Sequence, residues 1–128
     1  MKADLDHFER VARATLDDLP SPFRELAAEV QLRVADWPDA QMLRELDIPD
    51  RRDLTGLYEG IPMTQKSHFD LGTEPDRVWI FREPILLEHR ARGDEDLDTL
   101  IAHVVIHEFA HHFGWSDEAI AAIDQWWL

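Results

Sequence analysis

His107, Glu108 and His111 stand in the order H-E-x-x-H, inside the run His107-Glu108-Phe109-Ala110-His111-His112-Phe113-Gly114-Trp115-Ser116-Asp117. On a helix, positions four apart share one face. The imidazoles of His107 and His111 can then hold one metal ion between them. Glu108, next to the first of them, can reach a water on that ion. Two imidazole ligands with an adjacent carboxylate are the donor set and the general base of zinc-dependent hydrolysis. In a chain of this composition, H-E-x-x-H arises by chance in about one sequence in thirty. Gly114, three residues after His111, and Asp117, three beyond that, reduce this to roughly one in several thousand. The chain has no cysteine, so disulfides, thiolate ligands and a Cys nucleophile are excluded.

The extended motif resembles the metzincin form H-E-x-x-H-x-x-G-x-x-H, with Asp117 where the third His would stand. It resembles more closely the minimal zincin-like metallopeptidases, small bacterial proteins once classed as a domain of unknown function. That resemblance is carried by Leu54-Thr55-Gly56-Leu57-Tyr58-Glu59-Gly60, by Pro75-Asp76-Arg77-Val78-Trp79-Ile80-Phe81-Arg82, and by His107 to Glu118. It implies a compact α+β, zincin-like fold and a zinc peptidase site. Metzincins place a Met turn after the third ligand, whereas no Met follows Asp117 here. The ligand set expected for zinc is His107, His111 and Asp117, with one position left open for water. Glu108 is the expected catalytic base. It would take a proton from the attacking water and pass it to the leaving amine. Gly114 lets the chain turn after His111, and Glu118 is the next acid along.

Two further residues could assist. Tyr58 is the chain's one tyrosine, and a phenol near the metal could donate to a developing oxyanion. It could equally be a strand tyrosine packed on a sheet. His103 lies one turn before His107 on the same face and could support the ligands. It cannot replace Asp117, because residues 103, 107 and 111 span about 12 Å along a helix axis. His112 points about 100° from His111 and reads as structural. His68 reads as a solvated loop residue and His7 as a surface residue.

Composition narrows the partners. The net charge of −14 repels phosphate backbones and argues against nucleic acid. It would favour basic peptides if the acid lay near the cleft. The first residues are charged and lack a long apolar run, so a signal peptide is not expected. No segment has the ~20 apolar residues of a membrane span. A cytoplasmic location and one domain over residues 1–128 are the expectation. The expected substrate is a peptide or a small protein. A metal-dependent hydrolase of another substrate, or a non-catalytic module keeping zinc for structure, are the alternatives.

The elements that must position these residues follow from periodicity. Leu5, Phe8, Val11, Ala12, Leu16 and Leu19 give a first helix over 4–19 that Pro20 and Pro22 end. Ser21 and Pro22 open a second, to about Glu29. Residues 30–37 alternate as a strand, 40–46 form a short helical or turn segment, and 54–58 form a second strand. Gly56 inside that strand signals a bulge or a close backbone approach. Residues 61–75 read as a long loop or a loose hairpin, which leaves the sheet with three strands or four. Residues 77–81 form a strand apolar on both faces, so covered on both sides, and are the candidate for pairing with an extended substrate. Pro84 ends that strand, and 85–90 form a helical turn. The acidic run 94–98 reads as a solvated helix start. The helix from about Asp96 to Phe113 is apolar nearly all round and belongs in the core, although Val104-Val105-Ile106 alone favours a strand. A last helix, Asp117 to about Trp127, packs through Ile120, Ile123, Trp126 and Trp127.

Overall fold

A computed structural model describes residues 3–21, 23–60, 76–93 and 95–112. The elements are α1 (Leu5–Asp17), α2 (Phe23–Ala27), β1 (Gln31–Ala35), α3 (Ala40–Glu45), β2 (Gly56–Glu59), β3 (Arg77–Phe81), α4 (Arg82–Arg92) and α5 (Leu97–His112), with one 3-10 turn at Arg51–Asp53. This is a small α+β fold, with five helices and a three-stranded mixed sheet among the described residues. The final helix expected from Asp117 and the loop at 61–75 lie outside the described residues.

The strands run in the order β1-β3-β2. β1 pairs parallel with β3, from Gln31 opposite Arg77 to Ala35 opposite Phe81. β2 pairs antiparallel with β3, from Gly56 opposite Ile80 to Glu59 opposite Arg77. β3 is therefore the central strand. This corrects one expectation: residues 77–81 have both sides hydrogen-bonded and offer no edge to a substrate.

Side chains two apart on a strand share a face. Leu32 and Val34 of β1, Val78 and Ile80 of β3, and Gly56 and Tyr58 of β2 lie in register on one face. That face carries the main core, shared with Phe8, Ala12 and Leu16 of α1, Ile85 of α4, and Leu100, Ile101, Val104, Val105 and Phe109 of α5. Burial of each large apolar side chain here stabilises the fold by about 1.5–3 kcal/mol. The opposite face holds a smaller cluster of Met42, Leu54 and Phe81, with Trp79 and Leu57 against it. Trp79 stacks on Phe81 with centroids 6.0 Å apart. β3 is thus covered on both sides, as its unbroken apolar run predicts.

Three local features differ from the sequence reading. α2 is shorter than expected, and the Ser21 hydroxyl donates to the Glu25 carboxylate at 2.7 Å. α4 is a full helix that starts at Arg82, ahead of Pro84. Proline is tolerated there because first-turn N–H groups have no intrahelical acceptor. Arg82 fixes that start, donating from Nε to Asp36 at 2.7 Å and from Nη1 to the Ala3 carbonyl at 3.1 Å. Gly93, at φ 65°, closes α4. His7 is not simply a surface residue: its Nε2 lies 2.7 Å from Asp98 Oδ1, tying α1 to the first turn of α5. Among the described residues, no helix is long and apolar enough to cross a membrane.

Gly60 and Asp76, the residues on either side of 61–75, lie against each other. Asp76 is buried and accepts from the Tyr58 hydroxyl at 2.7 Å. Gly60 sits against that carboxylate at φ 151°, and an added Cβ would fall on the Asp76 side chain. L-residues rarely adopt this φ. Gly60→Ala is expected to lower stability by at least about 1–3 kcal/mol, measured as a fall in urea midpoint at unchanged m-value. An unchanged midpoint would show that the Gly60 backbone is not constrained in this way.

Candidate metal centre

Helix α5 positions the site by its burial. Asp96 caps it, accepting from the Thr99 N–H at 3.3 Å through Oδ2 and from the Leu100 N–H at 3.0 Å through its carbonyl. Leu100, Ile101, Val104, Val105, Ile106, Phe109 and Ala110 are all buried. Such packing overrides the strand propensity of Val104-Val105-Ile106. On the same helix, His103, Glu108 and His111 are half-buried, and His107 is exposed.

His107, Glu108 and His111 each offer a ligand atom, and these atoms all lie within 4.8 Å of one another. Among the described residues this is the group of His and carboxylate side chains close enough to share an ion. The two imidazoles have centroids 5.2 Å apart and are nearly perpendicular, at 77°. Tetrahedral zinc with bonds of about 2.0–2.1 Å needs ligand nitrogens roughly 3.4 Å apart. His107 is exposed while Glu108 and His111 are half-buried, so the group faces outward on one side. The donor set fits zinc, with two nitrogens on one helical face and a carboxylate at their side.

Strand β2 lies directly behind the carboxylate. A Cβ built on Gly56 would stand 2.8 Å from Glu108 Cγ, 2.8 Å from Val104 Cγ1 and 3.2 Å from the Trp79 carbonyl oxygen. Gly56 is buried, and the close backbone approach that its place in a strand signals is an approach to α5. Its partner, Glu108, could not be read from the sequence.

The two assisting residues have partners of their own. Tyr58 donates its hydroxyl to Asp76. Burial first, then that hydrogen bond and the carboxylate's charge, push the phenol's pKa well above its usual value, so Tyr58 stays protonated as a donor. Asp76, which engages it, was not among the candidates; an acid immediately before a strand carries no distinguishing signal. His103 Nδ1 lies 3.6 Å from Glu95 Oε2, and Glu95 Oε1 lies 3.2 Å from Arg92 Nη1. The acidic run is therefore not only solvated: Glu95 is 18 % exposed and bridges the end of α4 to α5. Asp117, Glu118 and His68 lie outside the described residues, as does the side chain of His112.

Comparison with known sequences adds one finding. The family model of a zincin-like metallopeptidase matches residues 27–127. That span takes in the whole sheet, α3 to α5, the H-E-x-x-H motif and Asp117, and leaves out α1. No curated protein matches the chain.

Proposed function

This chain belongs to the zincin-like metallopeptidase family, and from that premise we propose that it is a zinc-dependent peptidase. The observation that carries the reading is the convergence of the ligand atoms of His107, Glu108 and His111 to within 4.8 Å of one another on α5. His107 and His111 would hold the ion, with Asp117 as third ligand. Bound zinc supplies Lewis acidity and brings the pKa of a water down to about 7. Glu108 is the general base: its carboxylate receives the water's proton and returns it to the leaving amine. An extended peptide would lie along β2, since β3 is closed on both sides and, among the described residues, β2 is the edge strand behind Glu108.

Protein purified without added metal is expected to carry about one zinc per chain by elemental analysis. The zinc-loaded protein is expected to cleave members of a random peptide library. A chain that is metal-free and also refuses zinc in titration would end this reading. Zinc bound by four protein ligands, with no cleavage, would instead make it a structural zinc module. Turnover of a non-peptide ester or amide alone would make it another metal-dependent hydrolase.

A further inference from the structure

We propose that Gly56 is a positioning residue for Glu108: its missing side chain creates the space in which the catalytic carboxylate is aimed. The inference rests on the peptidase reading above. Gly56 stands in the row Val34–Ile80–Gly56 across the sheet face that packs on α5. Its neighbours in that row carry branched side chains, and it carries none. The space so released is filled by Glu108 Cγ and Val104 Cγ1, each 2.8 Å from where a Cβ would be. Carbon atoms in contact prefer about 3.5–4.0 Å. A methyl group there must therefore displace both by several tenths of an ångström.

The direction of displacement is set by what stands on the other side. The same Cβ would meet the Trp79 carbonyl oxygen at 3.2 Å, and Trp79 lies opposite Leu57 in the ladder of the central strand. That backbone is held on both sides and cannot withdraw. Val104 is buried in the main core, so it too has little room. Glu108 is only half-buried, so the room for its chain to shift lies on the solvent side. Glu108 thus yields first. Cγ is the atom before the carboxyl carbon, so the shift passes directly to the oxygens. A misplacement of ~1 Å in a reacting group costs about 100-fold in rate. His107 and His111 lie on α5 outside this contact, so zinc binding is not disturbed.

The test compares wild type with Gly56→Ala, Val104→Ala and the double variant, in three measurements. In metal-free protein, NMR is expected to show a cross-peak between Gly56 Hα and Glu108 Hγ; its absence would overturn the proposal. Zinc affinity by chelator competition is expected to stay within about threefold across the set, because second-sphere losses are larger, at 10–100-fold. On the best library peptide, Gly56→Ala is expected to lose about 100-fold in kcat with KM within about threefold. Val104→Ala is expected to keep near wild-type kcat. The double variant relieves the Val104 clash and regains stability, yet stays slow, because the clash with Glu108 remains. Recovery of kcat along with stability would reduce Gly56 to a packing residue and overturn the proposal, as would an unchanged kcat in Gly56→Ala. A wild type that shows the NMR contact and binds zinc but cleaves no peptide would support the Gly56–Glu108 geometry while removing the peptidase reading.

Discussion

Glu108→Gln is expected to retain about one zinc per chain and to lose at least 100–10,000-fold in kcat/KM on peptides, the range that general acid–base groups contribute. The amide has the shape of the carboxylate, so it fits the space above Gly56 where Glu108 Cγ sits. It has no acceptor that can take a proton and release it again, so both the attack and the expulsion of the amine lose their shuttle. His107 and His111 are untouched, one turn apart on α5. Zinc affinity by chelator competition should therefore match wild type. Cleavage at a near wild-type rate would show that another group activates the water. A large loss of zinc would show that Glu108 is a ligand, which its place within 4.8 Å of both imidazoles makes the pertinent control.

Asp117→Ala is expected to weaken zinc binding by well over 100-fold. Catalytic zinc takes three protein ligands, and α5 supplies two nitrogens. With Glu108 reserved as the base, the third donor would come from another segment. Asp117 stands at the offset from His111 that the third metzincin ligand occupies, after a glycine that permits the turn. Its alternative role is a charge in the first turn of a following helix, where it would contribute ~0.3–1 kcal/mol to stability and nothing to the metal. The two roles differ in kind: a lost helix charge lowers the urea midpoint slightly and leaves zinc affinity alone. A ligand lost is more than a supporting residue lost, and removing a supporting residue already costs 10–100-fold. A change below tenfold would move the third ligand elsewhere, with Glu118 the next to test.

The sequence was most informative where one element carried its own signal. Helix α5 was legible against the strand propensity of Val104-Val105-Ile106 because H-E-x-x-H makes chemical sense only at helical spacing. The two covered faces of β3 were legible from Val78, Trp79, Ile80 and Phe81, all apolar. Strand order was not: periodicity reports which face of a strand is buried and says nothing of its neighbours. That is why residues 77–81 read as a substrate edge although they form the centre of the sheet. α4 was underestimated because Pro84 reads as a stop unless it falls in the first helical turn. Glu95 and Asp98 read as solvated acids, since their partners His103, Arg92 and His7 are set by tertiary packing. In the candidate site, His107, Glu108 and His111 were legible together, and the contact between Gly56 and Glu108 was not, because it joins segments distant along the chain.

That difference in chain distance divides the site into two cooperative units. The two-imidazole chelate closes within one helical turn, and any state that keeps α5 wound keeps it. Alignment of Glu108 exists only while β2 is docked, and proteins open in contiguous segments at free energies below that of global unfolding. An excursion that lifts β2 from α5 would leave both imidazoles in place and Glu108 without its backstop. The pairing of the two imidazoles then follows the opening free energy of α5, and the aim of Glu108 follows that of β2. Native-state amide exchange reads the two separately, as the protection of Leu57 and Tyr58 against that of Ile106 and Phe109.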